Sequence, residues 1–144
     1  MSPFGIGLRA QPFGPAPVQV ALPASATSLS VVRQALAGVG AAVGMGQHRL
    51  DDLKVAVTEA CTNVVLHAYG DCGGLIHVHA WPEDDRLVLL VRDEGVGMVP
   101  RAQRHSPGLG LGLGMIATLA KDVSISSEPG RGTEVWMTFP LERV

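Results

Sequence analysis

RLVLLVRDEGVG, Arg86 to Gly97, runs from an arginine through five successive apolar residues, Leu87 to Val91, and ends on an acidic pair and two glycines separated by one residue. The apolar part reads as a buried strand. An aspartate at the end of such a strand can accept a hydrogen bond from a flat ligand amine. Gly95 and Gly97 then let a ring or its sugar approach the backbone. Asp and Gly are equally the residues of an ordinary turn, so this stretch alone leaves both readings open.

LIHVHAW (75–81) precedes it across PEDD, a turn by composition, so the two form a hairpin. Before that lies the longest helical pattern, HRLDDLKVAVTEACTNVVLHAYG. Leu50, Leu53, Val57, Ala60 and Val64 make its buried stripe, and Gly70 ends it. SATSLSVVRQALAGVG predicts an earlier helix with Leu29, Val32, Leu36 and Val39 at helical spacing and Gly40 as its stop. Val18, Val20 and Leu22 alternate as a first strand. Downstream, residues 93–114 read as a long glycine-rich loop, GMIATLAKD as a short helix, and VSISS and TEVWMTFPL as a second hairpin around EPGRG. Hairpins dominate this order, which predicts an α+β, two-layer sandwich: a mostly antiparallel sheet with helices on one face. Residues 1–16 read as a flexible leader and 17–144 as one domain.

Two further stretches carry chemistry. In TEACTNVVLHAYG, Glu59, Asn63 and His67 are four apart and share a helix face bordering the apolar stripe. A carboxylate and an amide oxygen there can hold a hard cation or orient a hydroxyl; a solvated helix edge is the plain alternative. In PGLGLGLGM, Gly108, Gly110, Gly112 and Gly114 precede a helix start, where converging N–H groups can cradle phosphate. No GK[ST] follows and no βαβ unit surrounds it, so it is neither a P-loop nor a dinucleotide fingerprint. A flexible lid or linker is the competing reading.

Together, an acid/amide helix, an Asp-Gly-x-Gly strand end, a glycine lid leading into a helix, and Gly132–Thr133 in the last hairpin resemble the Bergerat-type (GHKL) ATP-binding fold. That superfamily includes gyrase, heat-shock chaperone ATPases, histidine-kinase catalytic domains and mismatch-repair ATPases. The resemblance covers residues 18 to 141. It implies that Asp93 takes the adenine amino group with Gly95 and Gly97 flanking the base, and that Asn63 coordinates Mg²⁺. It further implies that Gly108, Gly110, Leu111 and Gly112 hold the phosphates of ATP or ADP, and that Thr133 helps close the adenine pocket.

EACTNVVLHAY closely resembles the motif of anti-sigma factors that double as serine-protein kinases, and the short lid MVPRAQRHSPG resembles theirs. Histidine-kinase domains typically carry asparagine where Glu59 stands; a carboxylate there can serve as general base. The resemblance therefore implies an ATP-dependent serine/threonine-protein kinase and anti-sigma factor, with Glu59 catalytic. Its partners are a STAS-domain anti-anti-sigma protein and a sigma factor. Members of this branch often pair, which makes a homodimer one option. An excised histidine-kinase catalytic domain, a non-catalytic ATP-dependent partner switch and a scaffold binding no nucleotide stay as alternatives. Arg101 and Arg104 are read as solvated lid residues, His67 as packing or capping the helix end, His77 and His79 as a strand face, and Trp136 and Phe139 as core or hairpin residues.

Composition bounds the rest. With 144 residues, 47% apolar and 17% charged, the chain is globular, and a net charge of −2 without a basic block argues against direct nucleic-acid binding. No apolar run approaches the roughly 20 residues needed to span a bilayer, and the N-terminus lacks a signal-peptide pattern. Cys61 and Cys72 sit in no CxxC, which fits reduced thiols in the cytoplasm.

Overall fold

The computed structural model describes residues 18–70, 72–97 and 114–141. Strand β1 (Val18–Pro23) leads into helices α1 (Ala26–Ala42) and α2 (Gln47–Asn63), the latter prolonged by a π-turn, Val64–Ala68. Hairpin β2 (Leu75–Glu83) and β3 (Arg86–Asp93) follows. Helix α3, described over 114–119, then precedes hairpin β4 (Asp122–Glu128) and β5 (Gly132–Pro140). The element order is the one the sequence predicts. The leader and the lid residues Met98 to Leu113, with Arg101, Arg104, Gly108, Gly110, Leu111 and Gly112, lie outside the described residues.

The sheet runs β1-β2-β3-β5-β4, and every neighbouring pair is antiparallel. Alternation along the central strands divides their side chains between two faces. Leu87, Leu89 and Val91 of β3 join Val135, Met137 and Phe139 of β5, Ile76, Val78 and Ala80 of β2, and the helical stripe Leu53, Val57, Ala60 and Val64 in one core. Leu50, also expected in that stripe, is only half-buried. The other face has a small apolar cluster of its own: Val88 and Leu90 lie with Trp81 and Trp136. The two indoles meet edge to face with centroids 6.1 Å apart, a favoured aromatic geometry. Phe139 thus belongs to the main core, while Trp136 packs on the far face.

Two local expectations need correction. Gly40 does not stop α1; it is buried inside the helix, and a Cβ there would run into the Leu50 side chain. Its role is to let α2 approach closely, and the chain turns instead at Gly44, whose φ is +87°. The second correction concerns the end of α2. An α-helix does not continue to Gly70: after Asn63 the winding loosens into the π-turn, and the positive φ of Gly70 (+58°) then ends it.

Candidate active site

Asp93 is the last residue of β3 and points to the helix-bearing face, in the same parity as Val91 and Leu89. It is only 6% exposed, and its Oδ1 accepts the N–H of Gly95 at 2.9 Å. Burial pushes the carboxyl above its usual range, while the N–H groups of Gly95 and Thr133 and the Arg92 guanidinium pull it back down. Thr133 stands opposite Asp93 in the β3–β5 register. Its hydroxyl lies 3.0 Å from that of Ser127, a neighbour on β4 that the sequence reading did not single out.

Gly95 and Gly132 have a backbone reason to be glycine. A Cβ on Gly95 would strike the carbonyl of Ala68 at the end of the π-turn. Gly132 has φ +91°, and its Cβ would strike the carbonyl of Asp93. Both glycines therefore let the Asp93 turn sit directly against its neighbours, and a hydrogen bond of 2.8 Å from Val96 N–H to Ala68 O seals the contact. The turn is thereby tied to the end of the helix that carries Glu59 and Asn63.

On that helix Glu59, Asn63 and His67 are half-buried. Asn63 Nδ2 and His67 Nε2 are buried atoms with no hydrogen-bond partner among the described residues. His79 Nδ1, on the other face of the sheet, is a third such atom; orphans of this kind are rare in folded proteins and take a water or a ligand. An amide can present either its O or its N at one place by turning over. Mg²⁺ needs only one or two protein oxygens, completing its shell with phosphate and water. A single unsatisfied amide therefore suits a nucleotide-borne Mg²⁺. Among the described residues, no cluster of three or more His, Cys, Asp or Glu could hold a metal unaided. Glu59 stands one turn before Asn63 on the same helix.

His77 and His79 lie on the strand face turned from the helices. His77 Nε2 is 3.0 Å from Glu94 Oε1. Burial lowers the pKa of His79, with Arg92 and His77 adding to the effect against Glu134. A cavity of about 190 Å³ wraps the end of the sheet here, lined by Arg92 and Glu134 as well as Asp93 and Thr133. Glu59 and Asn63 do not line it. Cys61 is buried and Cys72 exposed, both free.

The chain and its fold have known counterparts. The family model for the histidine kinase-like ATPase domain matches residues 22–139. Proteins called serine-protein kinase RsbW, from Bacillus cereus (strain Q1) and Bacillus mycoides (strain KBAB4), are each 32% identical over 139 residues, which cover 88% of this chain and 86% of theirs. A solved structure of the RsbU and RsbW domains of a Mycobacterium tuberculosis protein matches with a TM-score of 0.72 at 26% identity, over 90% of this chain and 34% of that longer one. The histidine kinase domain of a blue-light activated kinase from Erythrobacter litoralis shares the fold, with a TM-score of 0.57 at 20% identity over 78% of this chain and 61% of that one. No helix among the described residues is long and apolar enough to cross a membrane. An acid and an amide one turn apart on α2, joined to a buried aspartate that ends β3, thus coincide with sequence and fold likeness along nearly the whole chain, which belongs to the histidine kinase-like ATPase (GHKL) family and groups there with the RsbW proteins.

Proposed function

We propose that this chain is an ATP-dependent protein serine/threonine kinase and anti-sigma factor acting in the cytoplasm, which phosphorylates a small anti-anti-sigma protein of the STAS fold and binds a sigma factor in its other state. The observation that carries the reading is the pairing on α2: the half-buried carboxylate of Glu59 one turn before Asn63, whose buried Nδ2 has no hydrogen-bond partner among the described residues. The name of the RsbW relatives supports the choice of serine as acceptor.

In this reading Asp93 accepts the adenine amino group with the acceptor capacity its two backbone contacts leave free. Thr133, held by Ser127, closes the pocket beside it. Asn63 would hold Mg²⁺, which would supply positive charge against the negative charge of the transferring phosphoryl group. Glu59 accepts the proton of the partner's serine hydroxyl as that oxygen attacks phosphorus, and the β–γ bridging oxygen leaves with ADP. The lid backbone around Gly110 to Gly112 supports the phosphates.

Incubation with γ-labelled ATP, Mg²⁺ and a candidate STAS protein tests this. Label on a partner serine is the expected result. Tight ADP binding without label on any partner would favour a non-catalytic switch, and acid-labile label on a histidine would favour the histidine-kinase reading.

A further inference from the structure

Tyr69 lies between the two halves of the site. Its hydroxyl donates to the carbonyl of Leu75 at 2.6 Å and accepts the backbone N–H of Glu94 at 2.9 Å. The Leu75 contact anchors the hydroxyl to the start of β2, and the Glu94 contact holds the residue directly after Asp93. One residue earlier, the carbonyl of Ala68 takes the N–H of Val96 at 2.8 Å, and the carbonyl of Val96 takes the N–H of Gly130 at 2.8 Å. The end of the helical segment is therefore bonded to the Asp93 turn, and that turn to the hairpin holding Thr133. The ring has its own seat: a Cβ on Gly74 would collide with it. The preceding π-turn, Val64–Ala68, begins directly after Asn63. Such turns occur often at functional sites.

From this arrangement we infer that Tyr69 is a positioning residue for nucleotide binding: its hydroxyl, with the Ala68 carbonyl, clamps the adenine-binding turn of Asp93 to the helix bearing Asn63 and Glu59, so that base and cation are received by one preassembled unit. The inference rests on the nucleotide-binding reading above. These hydrogen bonds run between groups of the chain itself, so the clamp acts through the geometry of Asp93 and Asn63. Loss of the clamp leaves both groups in place and adds the cost of ordering the turn to each binding event.

The test is Tyr69→Phe in the full chain, which deletes the hydroxyl and leaves the ring against Gly74. The expected result is ADP binding in the presence of Mg²⁺ weakened by about five- to tenfold, read by calorimetry well below the melting temperature. Faster amide hydrogen exchange at Glu94 should accompany it. A lowered melting temperature with unchanged ADP affinity would mark Tyr69 as merely structural and overturn the inference. Should Tyr69→Phe fail to fold, Gly74→Ala displaces the same ring while keeping its hydroxyl, and the same loss of affinity is expected; unchanged affinity there overturns the inference too. Wild-type protein that binds no ADP would overturn the nucleotide reading itself, whereas wild-type binding with unaltered variants overturns the clamp alone.

Discussion

The Asp93 carboxylate accepts the N–H of Gly95 at 2.9 Å, so the acid that ends β3 also closes the turn following it. A carboxylate has roughly four acceptor positions, and the backbone contacts from Gly95 and Thr133 use only part of that capacity. The group is thus fixed by the fold and still able to take an amine.

Asp93→Asn separates those two duties. Asparagine turns one acceptor oxygen into an NH₂ donor, which can accept neither the backbone N–H groups of Gly95 and Thr133 nor an adenine amine, so ADP affinity should fall about 10- to 100-fold by calorimetry. Stability should move the other way. Burial raises the folded-state pKa of Asp93 above the ordinary 3.8, so the folded chain binds a proton more readily than the unfolded one. That contribution is present below pH 3.8 and is lost as pH rises through the folded-state value. Above that value the buried carboxyl must ionise at a cost that asparagine avoids, and the nucleotide-free Asn variant should melt no lower than wild type.

Glu59→Gln should keep ADP affinity within about twofold of wild type while phosphotransfer to serine drops roughly 10²- to 10⁴-fold, the usual contribution of a positioned base. Single-turnover transfer from labelled ATP reads the first step directly. Transfer at the wild-type rate would remove Glu59 from the chemistry.

Asn63→Ala is expected to abolish the Mg²⁺ dependence of ADP binding and weaken that binding by about 10- to 100-fold. Because Nδ2 is a buried orphan in the unliganded fold, the amide contributes little to stability. Chemical denaturation should show a change within about 1 kcal/mol.

His79 predicts an acid-side weakness of the fold. Burial lowers its pKa below 6.5, assisted by Arg92 and His77, so the unfolded chain binds this proton more readily. Stability should fall as pH drops below about 6.5 and level off above it. Denaturation midpoints at a series of pH values measure this, and His79→Gln should flatten that part of the profile.

Gly132→Ala places a methyl group on a residue with φ +91° and against the Asp93 carbonyl. A loss of about 1–3 kcal/mol is expected from the backbone strain. ADP affinity should fall with it, since the displaced group belongs to Asp93.

Much of this architecture is readable in the chain because it obeys a local period. The alternation of β2, the apolar run of β3 and the Leu53–Val57–Ala60–Val64 stripe each name their element and its buried side. The motif residues are also legible as chemical types at fixed intervals. What escapes such reading depends on partners distant in sequence. Gly40 looks like a helix stop, yet it is buried because Leu50 and Met45 pack over it. The π-turn after Asn63 has no composition of its own. Tyr69 acts through Leu75 and Glu94, and Ser127 through Thr133 across a hairpin. Trp81 and Trp136 are 55 positions apart (136 − 81) and meet only because β3 lies between their strands.

The two cysteines give the molecule a built-in asymmetry of reactivity. Burial pushes the Cys61 thiol up to about 12, so at neutral pH that position carries a thiol and not the nucleophilic thiolate. Cys72 is exposed, and its N–H bonds the carbonyl of Tyr69 at 3.1 Å. A maleimide dye should therefore attach at Cys72 alone, three residues from the tyrosine clamp, and its emission can report in real time whether the turn tightens as nucleotide arrives.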